Sequence, residues 1–251
     1  MKKYGLIGSK LAHSFSQKYF SEKFISLHLA DCLYSNYEME TISLLPDLIQ
    51  KDPELLGLNI TIPYKKIAVA LMSRLDAVAE ATSVVNTIKI MRQASGIRLL
   101  GFNTDAYGFE CAIRPLLTSA HRKALILGTG ASSRTVSYVL KNSGIACAFA
   151  SRHGSGNAYS YSQLNAQIMA ECTIVVNTTP VGTFPDTEDF PDIPYQYLTS
   201  GHLLFDLVYN PALTLFLKKG MERGAAVQNG HVMLKLQADQ SWEIWNDPNL
   251  S

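Results

Sequence analysis

Short apolar runs suited to buried strands alternate along this chain with stretches whose apolar positions recur at helical spacing. The first run, Tyr4 to Ile7, meets Gly8 and Ser9. A helix is predicted from near Ser16 towards Leu29, with Tyr19, Phe20, Phe24 and Leu27 on one face. A strand around Tyr34 to Met39, a helix from Ile42 to Gln50 and a strand from Gly57 to Ile62 continue the alternation. Thr87 to Met91 and Leu99 to Phe102 read as a hairpin, with Gln93 to Gly96 between them. A second series begins with a strand at Ala124 to Leu127 and a helix from Ser132 to Asn142. Strands at Ala146 to Ala150, Ile174 to Asn177 and Leu203 to Val208 follow. Strand and helix in turn are the signature of βαβ units, so the fold class is α/β with mostly parallel sheets. Two such units are expected, joined in or beside a helix from Tyr107 to Leu117, with polar loops at Gly154 to Ser162 and Phe184 to Pro194.

Composition narrows the partners. The 251 residues, 47% of them hydrophobic, can bury a substantial core. Twenty-two basic against 21 acidic residues leave a formal net charge of +1, so no overall field favours nucleic acid or an anionic membrane. A small-molecule partner is expected. The apolar stretch behind Lys2 and Lys3 stops too soon for a signal-peptide core, and no run of about 18 apolar residues suggests a membrane span. Cys32, Cys111, Cys147 and Cys172 are scattered without zinc-site spacing, so no metal is expected, and the chain is read as cytoplasmic with reduced thiols. Monomer and homodimer both remain open.

Leu125 to Leu127 followed by Gly128-Thr129-Gly130-Ala131-Ser132-Ser133 is a buried strand running into a glycine turn that opens a helix. Such a turn lets backbone N–H groups approach a pyrophosphate at the positive helix end. The motif is weak alone, because Ser133 stands where a third glycine is usual and a structural turn gives the same pattern. The next strand ends at Ser151-Arg152-His153, where an NAD enzyme places a carboxylate for the ribose 2′-hydroxyl. A guanidinium there pairs with a 2′-phosphate instead, which favours NADP; a solvated surface arginine is the plain alternative. Asn177-Thr178-Thr179-Pro180-Val181-Gly182 closes a further strand with small polar groups at the edge where a nicotinamide ribose would lie.

The first unit carries polar groups at several strand ends. Ser14 and Ser16 follow the first strand and are suited to donate to a carboxylate, or simply to cap a helix; His13 is read as structural. Thr61 and Lys65 follow the Gly57 to Ile62 strand, Asn86 precedes the Thr87 strand, and Asn103 and Asp105 follow Leu99 to Phe102. Hydroxyl, amide, ammonium and carboxylate groups are thus delivered to one candidate cleft, with Lys65 as acid or base and Asp105 as its partner carboxylate.

These motifs together resemble the shikimate dehydrogenase family. They are His13-Ser14-x-Ser16, Asn59-x-Thr61-x-Pro63-x-Lys65, Val85-Asn86-Thr87, Asn103-Thr104-Asp105, the Gly128 loop, Asp206 to Pro211, and Asn229-Gly230-x-x-Met233-Leu234-x-x-Gln237-Ala238. Their order and number, from Tyr4 to about Trp245, make the resemblance specific. It implies a substrate-binding catalytic domain of residues 1–106 with 230–251, a Rossmann-type NADP-binding domain of residues 107–229, and a C-terminal helix returning to the first domain. It implies that Ser14, Ser16, Thr61, Asn86, Asp105, Tyr209 and Gln237 contact shikimate and that Lys65 is catalytic. Gly128, Thr129, Gly130, Ala131, Ser132, Ser151, Arg152, His153, Leu207 and Gly230 would line the NADP side. The implied reaction is reversible reduction of 3-dehydroshikimate to shikimate by NADPH, on the route to chorismate and the aromatic amino acids.

The chain departs from the family pattern in places. Ala131-Ser132 stands for the usual Gly-Ala, Ser151-Arg152-His153 for Asn-Arg-Thr, and Val232 for a second glycine after Gly230. Quinate or an amino analogue as substrate remains open, although Arg152 argues against an NAD-preferring quinate enzyme. A non-catalytic shikimate sensor is disfavoured by the retained Lys65, Asp105 and phosphate loop. A folate-type methylene dehydrogenase is disfavoured by the paired serines and by Asn103-Thr104-Asp105.

Overall fold

The computed structural model describes residues 1–11, 14–154 and 156–250. The chain divides into two compact units, one of Met1–Thr104 with Gln237–Ser251 and one of Asp105–Leu236. The first is built on strands β1 (Lys2–Gly8), β2 (Cys32–Glu38), β3 (Leu55–Ile60), β4 (Arg74–Leu75), β5 (Thr87–Gln93) and β6 (Gly96–Phe102), in the sheet order β2-β1-β3-β5-β6-β4. Its helices are α1 (Phe15–Ser26), α2 (Leu45–Lys51) and α3 (Ala77–Thr82). Helix α4 (Thr104–Ile113) leads into the second unit.

The sheet of the first unit is mixed. β1 runs parallel to β2 and β3, β5 is antiparallel to β3, and the β5–β6 hairpin is antiparallel throughout. The carboxyl ends of β1, β3 and β6 and the amino end of β5 therefore share one edge. The register makes this concrete: Ile7 pairs with Ile60, Asn59 with Thr87, and Thr87 with Phe102. Every polar motif expected at a strand end in this unit leaves from that edge.

The second unit carries β7 (Lys123–Leu127), β8 (Ala146–Ser151), β9 (Tyr159–Ser160), β10 (Ile174–Asn177), β11 (Leu203–Asp206) and β12 (Ala226–Gln228). All neighbours pair in parallel, in the order β12-β11-β10-β7-β8-β9. That is the doubly wound dinucleotide-binding order, whose direction reverses between β7 and β10. Ligands of such sheets bind outside the carboxyl ends of the strands at that reversal, which is where the Gly128 and Thr178 loops leave the sheet. Helices α5 (Ala131–Asn142), α6 (Ala166–Glu171) and α7 (Leu215–Met221) complete the unit, and α8 (His231–Asn246) carries the chain back into the first.

Aromatic packing holds α8 in the first unit. Trp245 stacks on Tyr4 with centroids 4.9 Å apart, and Trp242 lies edge-on to the same ring at 5.4 Å. Trp245 Nε1 donates to the carbonyl of Ile88 at 3.0 Å. Gly57 makes the contact possible, since a Cβ there would lie 2.3 Å from the indole. Phe20, stacked on Tyr34 at 4.4 Å, and Phe24 extend this cluster along α1.

Local chemistry explains where element boundaries depart from the sequence pattern. The first helix ends at Ser26 rather than Leu29, because His28 takes φ +56°, a left-handed helix stop. The strand expected to reach Val208 ends at Asp206, where Val208 N–H turns to the Asp206 carboxylate at 3.0 Å. The junction helix spans Thr104–Ile113, and Pro115 sits in the 3₁₀ turn that follows. No expectation covers helices α3, α6 and α7 or strands β4, β9 and β12; the strands, of two or three residues, are too short to set up a readable period. No helix among the described residues is long and apolar enough to cross a membrane.

Candidate functional site

In the first unit, Ser14 immediately precedes α1 and occupies its N-cap position without making a side-chain cap bond. Its Oγ is buried and has no hydrogen-bond partner among the described residues. A buried hydroxyl left in this state costs about 1–3 kcal/mol, so the arrangement fits a group that supplies the missing bond. Ser16, buried in the first turn, is hydrogen-bonded to the Tyr34 phenol, which in turn donates to Asn59 Oδ1 at 2.8 Å. Burial raises the Tyr34 phenol far above its ordinary range, so it stays protonated as a donor. His13 lies outside the described residues.

Thr61 follows β3 directly, and its N–H donates to Ile7 O at 2.9 Å, which locks the loop to the end of β1. Tyr64 is buried and donates its hydroxyl to Met39 O at 2.6 Å. The half-buried Lys65 comes next, its backbone carbonyl accepting from Val85 N–H at 2.8 Å. The lysine's main chain is thereby held by Val85 N–H and by the anchoring of its neighbour Tyr64 on Met39.

Asn86 and Gln237 are both buried, and Asn86 Nδ2 donates to Gln237 Oε1 at 3.3 Å. Sequence spacing could not have joined them, because one precedes β5 and the other sits on α8. Asp105 is buried in the first turn of α4, where the helix N-terminus favours a negative charge.

In the second unit, Gly128 takes φ +108°, and its N–H donates to Ala150 O at 2.7 Å. A Cβ there would meet Thr178 Oγ1 at 2.9 Å, so the loop after β10 presses directly on the glycine turn after β7. Thr129 and Gly130 are exposed, and a Cβ on Gly130 would meet nothing within 4 Å. Gly130 is also the N-cap of α5 and offers no side chain to the first-turn N–H groups. Open space above uncapped donors at a helix N-terminus suits a pyrophosphate. Ala131 and Ser132 form that first turn, both half-buried. Ser133 fills the third glycine position by folding its hydroxyl back onto Gly130 O at 2.8 Å, buried and away from the opening.

Ser151 ends β8 and pairs with Ser160, and Arg152 and His153 follow it, both exposed. Leu207 continues β11 through an N–H bond to Asn177 O at 3.0 Å. Gly230 packs against that segment so closely that a Cβ would lie 2.2 Å from Leu207 O, which explains the glycine by packing alone. Tyr209, half-buried, follows β11 in this unit, whereas Ser14, Ser16, Thr61, Lys65, Asn86 and Gln237 belong to the first.

One buried carboxylate organises these loops. Asp206 accepts from Asn177 Nδ2 at 2.9 Å, Val208 N–H at 3.0 Å and Thr214 Oγ1 at 2.6 Å. Asn177 Oδ1 in turn accepts from the Thr179 hydroxyl at 2.6 Å, so the ends of β10 and β11 and the cap of α7 are one knot. Burial outweighs the three donors and pushes the carboxyl from 3.8 up to about 6. A folded-state value above the unfolded one means that the native state holds its proton more tightly. The resulting stabilisation is complete below about pH 4 and is lost as pH rises through about 6, an effect on the order of 3 kcal/mol. Thermal midpoints of wild type and Asp206→Asn, measured from about pH 4 to 7, should therefore diverge in slope across that window. Parallel curves would refute this role for Asp206.

The comparisons with known proteins agree with this geometry. Residues 6–88 match the family model of the shikimate dehydrogenase substrate binding domain, a stretch that holds Ser14, Ser16, Thr61, Lys65 and Asn86. The shikimate dehydrogenase (NADP(+)) of Carboxydothermus hydrogenoformans is 33% identical, covering 96% of this chain and 90% of that protein. The chain belongs to the shikimate dehydrogenase family. Its relative of the same name from Caldicellulosiruptor saccharolyticus is 30% identical over 98% of this chain and 93% of its own length. Among solved structures, the family member from Thermus thermophilus in complex with NADP(H) and shikimate is 28% identical, with a TM-score of 0.84 over 98% of this chain and 94% of that one. Both units share in the likeness, and the α/β architecture expected from the sequence is the family's.

The sequence marks the strand-end residues, and Thr87 and Thr104 only as members of their motifs, but gives no role to the groups beneath them. Tyr34, Thr87, Thr104 and Ser241 are all buried with polar atoms, and each bonds to a candidate residue or its neighbour. Ser241, four residues beyond Gln237 on α8, carries no signal of this in the sequence, lying among Asp239, Gln240 and Glu243.

Proposed function

We propose that this protein is an NADP-dependent shikimate dehydrogenase that reversibly reduces 3-dehydroshikimate to shikimate, a step towards chorismate and the aromatic amino acids. The observation that carries this reading is identity across almost the whole chain, through both units, to relatives named shikimate dehydrogenase (NADP(+)). The test is the appearance of reduced nicotinamide with shikimate or quinate as substrate and NADP or NAD as oxidant. Shikimate with NADP should react fastest, and absence of reduced cofactor in all four combinations would overturn the assignment.

On this reading residues 1–106 with 230–251 bind substrate and residues 107–229 bind NADP. Ser14 and Ser16 donate to the substrate carboxylate, and a Ser14 Oγ buried without a partner among the described residues supports that role. Thr61, Asn86, Tyr209 and Gln237 hold the ring hydroxyls. Gly128, Thr129, Gly130, Ala131 and Ser132 receive the pyrophosphate, Leu207 and Gly230 border the nicotinamide, and Ser151, Arg152 and His153 receive the adenosine ribose phosphate. Bound NADPH supplies the hydride. Lys65 hydrogen-bonds the C3 oxygen of 3-dehydroshikimate through its ammonium, stabilises the negative charge that develops there and delivers the proton. In the oxidative direction the neutral amine takes that proton back. Asp105 accepts from the adjacent C4 hydroxyl and fixes the ring. The free cysteines support a reducing, cytoplasmic location.

Arg152 gives the cofactor assignment its own test. Its guanidinium is exposed at the end of β8 and is the cation assigned to a 2′-phosphate. Arg152→Gln should raise KM for NADP by on the order of tenfold or more and leave KM for NAD within about twofold. Equal effects on both cofactors would remove the arginine from the phosphate site.

A further inference from the structure

The first unit contains a polar cluster buried in its core, which joins β3, β5, the first residue of α4 and α8 and includes two of the candidate substrate residues. Asn59, Asn86, Thr87, Thr104, Gln237 and Ser241 are each less than 9% exposed. Asn59 Nδ2 donates to Thr87 Oγ1 at 3.1 Å and to Ser241 Oγ at 2.9 Å. Thr87 Oγ1 lies 2.8 Å from Ser241 Oγ, 3.1 Å from Thr104 Oγ1 and 3.3 Å from Asn86 Oδ1. Thr87 is thus the hub, with no exposed surface of its own through which to touch a ligand.

The protons in this cluster are largely determined. Thr104 N–H can only donate, and it reaches Asn86 Oδ1 at 2.7 Å, so that end of the amide is oxygen. Nδ2 must then face Thr104 Oγ1, at 2.9 Å, and Gln237 Oε1, at 3.3 Å. Gln237 is in turn held with its oxygen towards Asn86. Ser241 Oγ donates to Gln237 O at 2.9 Å, one turn back along α8, which leaves its lone pairs for Asn59 Nδ2 and the Thr87 hydroxyl, so Thr87 spends its proton there and accepts from Thr104 Oγ1 at 3.1 Å. Inverting either carboxamide would set donor against donor in a space closed to water, a cost of about 1–3 kcal/mol for each group left unpaired.

We propose that Thr87, supported by Ser241, is a positioning residue for the substrate-binding carboxamides: by accepting the Thr104 hydroxyl proton it keeps Thr104 Oγ1 as the acceptor for Asn86 Nδ2, and so holds Asn86, and Gln237 behind it, in place. This rests on the function proposed above and extends it to a residue that never meets the substrate. The interaction is with bound substrate in both ground and transition states, so its loss acts on affinity more than on turnover.

The experiment compares wild type, Thr87→Val, which keeps the shape and deletes the hydroxyl, and Thr87→Ser, which keeps the hydroxyl. Thr87→Val should raise KM for shikimate by on the order of tenfold, with kcat and KM for NADP within about twofold of wild type. Thr87→Ser should restore the shikimate KM. Ser241→Ala, a milder deletion in the same cluster, should shift the same constant in the same direction and provides the test if Thr87→Val does not fold. A lower thermal midpoint with an unchanged shikimate KM in both deletion variants would reduce the cluster to a structural role and overturn the proposal, as would equal increases for shikimate and NADP. Wild-type protein that neither binds nor oxidises shikimate would instead overturn the proposed function, and this role with it.

Discussion

Lys65→Ala should lower kcat for shikimate oxidation by on the order of 10² or more while leaving NADPH binding nearly intact. The reason is the separation between what the lysine's backbone does and what its side chain is assigned to do. Its carbonyl is held by Val85 N–H and its neighbour Tyr64 is anchored on Met39, so the loop survives truncation of the side chain. The thermal midpoint should therefore change little. What disappears is the ammonium assigned to stabilise charge on the C3 oxygen and exchange its proton. Those are transition-state interactions, so kcat and kcat/KM should fall together. Steady-state kinetics with either substrate, alongside direct titration of NADPH by fluorescence, provides the check. Wild-type-like turnover in this variant would remove Lys65 from the chemistry.

Trp245→Ala should cost stability rather than catalysis, by about 4 kcal/mol in the first unit. The indole is buried, stacked on Tyr4, in contact with Phe20, and donates to Ile88 O. Truncation leaves a large void and a buried carbonyl without its donor, and the two effects add. A void cannot be refilled from Gly57, whose missing side chain is what admitted the ring in the first place. Chemical denaturation followed by the signal of Trp242 would register the loss as a lower midpoint. An unchanged midpoint would mean that α8 is not anchored by this contact. Because Gln237 and Ser241 lie on the same helix, a release of α8 should also weaken shikimate binding.

Much of the site was legible along the chain because it is carried by strand ends. Gly128 had to be glycine for its φ of +108° and for the pressure of Thr178, and its place between an apolar run and a helix could be read directly. Lys65, Asn86 and Asp105 were visible as polar residues immediately beside apolar strands. Gly230 had been placed on the cofactor side, and the structure adds a packing reason, the close approach of Leu207 O. Asp206 was visible only as part of a motif. Its standing as a buried carboxylate that ties Asn177 to Thr214 depends on two strands lying side by side.

The sequence by itself determined the alternation of elements, the α/β class, the strand-end positions of the polar motifs and their resemblance to a family. These follow from period, turn chemistry and local residue type, which act over a few residues. The hairpin of β5 and β6 was readable, but only the tertiary structure decided that β5 pairs antiparallel with β3, so that an amino end joins three carboxyl ends at one edge. It also decided that Asn59, Thr87 and Ser241 meet in one buried cluster, across a separation of 182 residues between Asn59 and Ser241. Hydrogen bonds between buried side chains depend on which elements pack together, and their partners carry no mark in the local sequence.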